Sequence, residues 1–151
     1  MRKLLVALVL VLGLALAQKP YVGGHLGLFG SGGLNVFNGG IHAGVALGSG
    51  LPELRLGADF SSFLGILITG INADALLPFS LAGSPVEPYV GVGGNVWMAG
   101  GLTAFGAHVT LGGRMAVPGA PLVGFIEVQP VYAFNSQTFG YYAKIGVNYG
   151  F

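Results

Sequence analysis

Three histidines, His25, His42 and His108, have the side chains best suited to acid–base catalysis or to binding a metal ion. Candidate hydroxyl partners for a catalytic histidine are Ser31, Ser61 and Ser62. No Gly-x-Ser-x-Gly motif or comparable nucleophile signature accompanies them. We therefore predict packed or hydrogen-bonded histidines, with no catalytic, cofactor-binding or metal-binding residue. A catalytic histidine and a three-histidine metal site stay open as minor alternatives.

Charged side chains are few and lie inside apolar stretches, as Lys144 does in the closing stretch YYAKIGVNYGF. A charge removed from water is costly unless it is paired and hydrogen-bonded. Charges that share one buried face should therefore form a network and not stay isolated. The members we predict are Arg55, Asp74, Glu87, Arg114, Glu127 and Lys144.

The composition indicates that water is not the main solvent of this chain. Its 151 residues are 53% hydrophobic and 7% charged, with a mean hydropathy of +0.76, whereas ordinary globular domains have roughly 25% charged residues. The net charge is +1 with no basic block, which excludes the electrostatic signature of a nucleic-acid-binding protein. The absence of cysteine excludes a disulfide framework and a lipoprotein anchor.

Residues 1–17 have the pattern of a secretory signal peptide. Arg2 and Lys3 precede an apolar core over residues 4–14, and Ala15 and Ala17 form a small-x-small cleavage site. We predict cleavage after Ala17, which leaves one domain over residues 18–151. An uncleaved anchor helix is disfavoured because the apolar stretch is shorter than the about 20 residues that span a bilayer.

The segments that carry the polar side chains alternate apolar residues with small or polar ones, a period of two. Near the end of the chain, Ile145, Val147 and Tyr149 alternate with Lys144 and Asn148, so one face is apolar and the other small or polar. Eight segments of roughly ten residues show this pattern, the length of a tilted membrane-spanning strand. Connections between them are predicted near Ser31, Pro52, Ser62, Ser84, Ala99, Pro118 and Gln137.

These observations predict an all-β protein, an eight-stranded antiparallel up-and-down transmembrane β-barrel. Helical spans are disfavoured because residues 64–81 and 89–113 both carry polar residues and prolines or glycines. Pro88 and Pro130 fall inside predicted strands, and proline cannot donate to a ladder of hydrogen bonds. We expect a bulge or a local break at Pro130. Whether the prolines mark a lateral opening stays open at this point.

The end of the chain is similar to an assembly signal. Its residues are Tyr141, Ile145, Val147, Tyr149 and Phe151. With the signal peptide and the eight strands, this stretch resembles the small eight-stranded outer-membrane β-barrels, the group that includes outer-membrane proteins A, X and W. The resemblance implies a bacterial outer-membrane location, contact with the lipid bilayer, and recognition of the last strand by the barrel-assembly machinery. Connections of only a few residues depart from the group and argue against adhesion by long loops.

Folding each predicted hairpin about its turn brings charges together in the barrel interior, the lumen. Arg55 falls opposite Asp74, and Arg114 falls level with Glu87 and diagonal to Glu127. Lys144 falls opposite Gln129, with Glu127 nearby. An eight-stranded barrel has an interior just wide enough for its own side chains, so these charges should close the lumen.

The function predicted from these features is a structural, envelope-maintaining barrel with a closed lumen and no enzymatic activity. The alternative is transport of a small hydrophobic solute through the upper lumen, the half away from the chain termini, with lateral release into lipid. Inward glycines suggest room for such a solute; they are Gly23, Gly27, Gly40, Gly91, Gly93 and Gly106. A third, less favoured possibility is a lipid-modifying enzyme, because the resembled group includes such barrels.

Overall fold

A computed structural model describes residues 19–48 and 50–150. The eight strands are β1 (Lys19–Ser31), β2 (Leu34–Ala46), β3 (Glu53–Phe63), β4 (Ile66–Pro78), β5 (Val86–Ala99), β6 (Leu102–Ala116), β7 (Leu122–Ala133) and β8 (Thr138–Gly150). The described residues contain no helix long and apolar enough to cross a membrane. The signal peptide predicted over residues 1–17 lies outside the described residues.

The strands close into a barrel in chain order. Each strand pairs antiparallel with the next, and β1 pairs with β8 from Tyr21–Gly150 to Ser31–Gly140. Closure leaves no strand edge with unpaired backbone groups, which a bilayer would not satisfy. The predicted fold class, an eight-stranded antiparallel up-and-down barrel, is confirmed.

The alternation of the sequence sets the two faces of the barrel. In each strand, one set of alternate positions is mostly aliphatic; we call it the apolar parity. These residues point outward, so Leu56 and Ile145 are each 65% exposed. Side chains of the other parity point inward, and Tyr89 is 4% exposed. The barrel is therefore apolar outside and polar inside, the inverse of a water-soluble protein.

Three connections at one end of the barrel are tight two-residue turns. They are Gly32–Gly33, Leu64–Gly65 and Gly100–Gly101, and every residue in them has a positive φ. Two central residues with positive φ are what a type I′ turn requires, and its twist matches that of the flanking strands. The turn predicted near Ser62 lies at Leu64–Gly65, because β3 continues to Phe63.

The break predicted at Pro130 is present. Pairing between β6 and β7 stops after His108–Val131 and resumes at Leu111–Val128 in the same register. No residue is inserted, so the feature is not a bulge. Since proline has no N–H, the Val109 carbonyl loses its ladder partner. Pro88, in contrast, pairs with Gly113 without an interruption.

Candidate functional site

The candidate site is the lumen, where the polar parity of all eight strands converges. The described acidic residues all lie on inward positions: Glu53, Asp59, Asp74, Glu87 and Glu127. Three of the four described basic residues join them there: Arg55, Arg114 and Lys144. Lys19 stands apart, exposed at the start of β1.

Arg55 is the hub of the largest cluster. Its Nε donates to Asp74 Oδ2 at 3.0 Å on the adjacent strand β4, as the predicted Arg55–Asp74 register implies. Its two terminal nitrogens donate to Glu127 on β7, with Nη2 3.1 Å from Oε2. Strands β3 and β7 lie on opposite sides of the barrel, so this guanidinium links the two walls of the lumen.

Further donors satisfy the Glu127 carboxylate, which is 1% exposed. The Tyr89 hydroxyl donates to Oε1 at 2.8 Å, and Gln129 Nε2 donates to Oε2 at 3.0 Å. Asp74 also contacts His108 Nε2, while His108 Nδ1 faces Asn95 Oδ1. A buried charge is tolerated when its lone pairs are filled in this way.

Asp59 is the centre of a second cluster. Asn72 Nδ2 donates to its Oδ2 at 2.7 Å, and Lys144 Nζ lies 3.3 Å from the same oxygen. His25 Nε2 lies 2.8 Å from Oδ1. Asp59 was not among the members of the charge network predicted from the sequence.

The predicted partner of Lys144 is wrong. Lys144 lies opposite Glu127, and Gln129 lies opposite Tyr142, so the predicted register was two residues off. The ammonium reaches past Glu127, whose oxygens already hold Arg55, to Asp59 on β3. Its stem brings Nζ 4.8 Å from the centre of the Tyr142 ring, a favourable cation–π distance.

A third cluster lies toward the end of the lumen where the chain termini meet. Arg114 Nε donates to Glu87 Oε2 at 2.6 Å, in agreement with the predicted Glu87–Arg114 level. Its Nη1 donates to Glu53 Oε2 at 2.5 Å. Glu53 also accepts from the Tyr21 hydroxyl. The predicted proximity of Arg114 to Glu127 gives no ion pair, because Glu53 takes the second contact.

The opposite half of the lumen is filled by aromatic side chains. Trp97 Nε1 donates to the Tyr142 hydroxyl at 2.7 Å, and the Phe29 and Tyr142 rings lie 4.7 Å apart. The room expected above the inward glycines is occupied: a Cβ on Gly106 would lie 2.5 Å from the Trp97 ring. Among His42, Arg55 and Lys144 the structure leaves a void of about 10 Å³, room for at most one water.

The histidines contact carboxylates and amides. His42 Nε2 lies 2.6 Å from Asn148 Oδ1, and the rings of His25 and His42 stack 6.0 Å apart. No serine hydroxyl is bonded to a histidine in the part of the chain that the structure describes; Ser61, for example, accepts from Asn38 at 3.3 Å. No group of three or more metal-ligating side chains occurs within residues 19–48 and 50–150.

Residues of the predicted assembly signal line the outer face of β8. Tyr141, Ile145, Val147 and Tyr149 are 42–65% exposed. Phe151 lies outside the described residues. Recognition of this strand by the assembly machinery stays a prediction.

No protein-family model and no curated protein matches the chain. Neisserial surface protein A superposes with a TM-score of 0.69 at 18% identity, over 89% of this chain and 97% of that one. A major outer membrane protein from Thermus thermophilus gives 0.68 at 16% identity, over 89% and 99%. The N-terminal β-barrel domain of Pseudomonas aeruginosa OprF gives 0.64 at 18% identity, over 88% and 97%.

The chain has the fold of the small outer-membrane β-barrels. This finding and the apolar outer surface agree with the predicted outer-membrane location. The fold does not by itself decide activity, because the outer membrane enzyme PagL superposes with a TM-score of 0.50 at 11% identity, over 85% of this chain and 98% of that one.

Proposed function

We propose that this protein is a structural component of the outer membrane, a closed barrel that maintains the envelope without conducting ions. The observation that carries the proposal is the Arg55 guanidinium, bonded to Asp74 on one wall and Glu127 on the other. A water-filled channel needs an open path along the axis. Arg55, 6% exposed, occupies that path.

The upper lumen supports the same conclusion. Transport of an apolar solute requires an enclosed cavity between the aromatic residues and the strand walls. The Trp97–Tyr142 hydrogen bond crosses this region from β5 to β8, and neighbouring side-chain and backbone atoms fill the space over the inward glycines. The packing therefore favours a scaffold over a carrier.

Deletion of the gene in the native bacterium tests the proposed role. If the protein is a scaffold, the deletion strain should leak periplasmic enzymes and admit apolar dyes. Expression of the wild-type chain should reverse both effects. Trp97→Phe is a matched complementing variant, because it keeps the outer surface and removes the upper-lumen hydrogen bond; it should restore the barrier equally. An intact barrier combined with lost uptake of one apolar solute would contradict the scaffold and favour transport.

A further inference from the structure

A cavity of about 280 Å³ opens on the outer surface where β1, β2 and β8 meet, at the end of the barrel opposite the chain termini. We call it the rim cavity, formed by residues 30–35 and 139–141. Its polar side-chain atoms come from Asn35 and the Tyr141 hydroxyl, and its apolar walls from the rings of Phe139 and Tyr141. Its volume is just below the about 300 Å³ at which the usual range of ligand sites begins, about enough for one sugar ring.

The rim cavity is held in shape by Tyr141. Its ring lies over the backbone of Gly30, where an added Cβ would clash with Tyr141 Cε1. Its hydroxyl donates to Asn35 Oδ1 at 2.7 Å. The contact spans β8, β1 and β2 across the seam that closes the barrel, so the ring and the amide are positioned before any ligand arrives.

Two groups in the rim cavity are available to a ligand, the Asn35 amide and the Phe139 ring. Asn35 Nδ2 has no hydrogen-bond partner among the described residues, since Asn35 is bonded through Oδ1. Ser31 has the inward parity of Phe29, and its hydroxyl is bonded to the Phe139 carbonyl at 3.3 Å, so Asn35 supplies the free polar group on the outer side. Phe139 is 75% exposed and offers an aromatic face. A sugar ring fits this set, with C–H groups for the aromatic face and hydroxyls for the amide.

The charge distribution selects an uncharged sugar. Charged side chains in residues 19–48 and 50–150 are inside the lumen, apart from Lys19 at the opposite end of the barrel. Phosphate is usually recognised by Arg or Lys, and neither lines the rim cavity. A neutral headgroup therefore suits this site better than a phosphorylated one.

We propose that the rim cavity binds the neutral sugar headgroup of a glycolipid in the outer leaflet. The site is small and open, so a free sugar should bind weakly. A lipid tether holds the headgroup at the membrane surface and raises its effective concentration there. The inference rests on the proposed outer-membrane placement, with both chain termini on the periplasmic side and this end of the barrel at the level of the outer headgroups.

Amide chemical shifts test the site. The isotope-labelled protein, refolded into phosphocholine-detergent micelles, is titrated with monogalactosyl diacylglycerol. We expect saturable shifts confined to residues 30–35 and 139–141. The same titration is made with diacylglycerol, with phosphatidylglycerol and with free galactose. Diacylglycerol and phosphatidylglycerol should give no local saturation, and galactose should need a much higher concentration to give the same shifts.

Two variants sharpen the test. Asn35→Ala removes the free amide and should weaken the apparent affinity by about 3- to 10-fold, the effect of one lost hydrogen bond. Phe139→Ala should also weaken it, whereas Phe134→Ala, which removes another exposed outward aromatic residue outside the cavity, should not. Equal shifts with diacylglycerol, or unchanged affinity in both cavity variants, would overturn the site. A dispersed β-sheet spectrum in those samples would leave the proposed barrel function standing.

Discussion

Arg55 shows how one side chain can hold a barrel together at the residue scale. Its three donor groups are matched by two carboxylates from different walls, and all three residues are at most 6% exposed. The planar guanidinium suits this task because its donors have a fixed geometry that fits two carboxylates at once. A lysine at this position would supply one point charge in place of the several fixed donors of the guanidinium.

Replacement of Arg55 should therefore be costly. Arg55→Met leaves Asp74 and Glu127 buried without their shared cation, and we expect the free energy of unfolding to fall by about 3–5 kcal/mol. Arg114→Met should cost less, about 1–2 kcal/mol, because the Arg114 side chain is 19% exposed and its buried partner Glu53 still accepts from the Tyr21 hydroxyl. Urea titration in lipid vesicles, followed by tryptophan fluorescence, measures both.

The triple variant Arg55→Met, Asp74→Leu, Glu127→Leu controls for lost packing. Removal of the whole buried group should recover part of the stability, since no charge is left unpaired. If Arg55→Met and Arg114→Met have equal denaturation midpoints, burial does not set the strength of the network and this explanation is wrong.

Gly40 and Gly39 form a matched pair for the packing of the lumen. A Cβ on inward Gly40 would lie 2.5 Å from His25 Cε1 and 2.6 Å from the Ala58 carbonyl oxygen. On outward Gly39 the nearest atom is a Leu26 methyl carbon at 3.4 Å. Gly40→Ala should destabilise the barrel by about 1–3 kcal/mol, and Gly39→Ala should be near neutral. Equal unfolding midpoints would show that the lumen has spare room.

At the scale of the strands, the sequence was sufficient to predict which side chains face the lumen, but not the register of every pair of strands. The period of two determines which residues point inward, because the side chains of a strand alternate strictly. Register across a hairpin depends also on turn length and conformation. The connection after Ala133 extends over residues 134–137 with Gln137 at φ 52°, and this turn displaced Lys144 from its predicted partner Gln129.

The turn at Leu64–Gly65 carries local backbone strain. Leu64 has φ 49°, a conformation that favours glycine or asparagine. Leu64→Asn should raise the free energy of unfolding by about 1 kcal/mol. Leu102→Asn is the control, because Leu102 is also highly exposed but lies in β6 without a positive φ. Stabilisation by both variants would assign the effect to polarity and not to the backbone.

The interruption beside Pro130 makes a prediction for hydrogen exchange. Pro130→Ala supplies the missing N–H, which should bond to the Val109 carbonyl and exchange slowly, as the amides of neighbouring ladder residues do. The amide of Pro88→Ala should exchange faster, because Pro88 lies next to the end of β4–β5 pairing at Pro78–Tyr89. Rapid exchange at position 130 would mean that the strands are separated there by something other than the missing donor.

At the scale of the whole molecule, composition and alternation were enough to predict a barrel that is apolar outside and polar inside. They were not enough to assign partners across the lumen. Contacts such as Lys144–Asp59 and Arg114–Glu53 join strands that are three positions apart. These pairs depend on side-chain length and on which carboxylates are already occupied, information that neither parity nor neighbouring register contains.

Planar-bilayer conductance tests the central claim, that side chains close the lumen, most directly. The refolded protein is added to a bilayer, and a porin of known conductance is added afterwards to show that the bilayer reports channels. Because Arg55 and the Trp97–Tyr142 pair cross the lumen at separate levels, we predict no stable single-channel openings before the porin is added. Reproducible openings of uniform size from the protein alone would contradict the closed lumen.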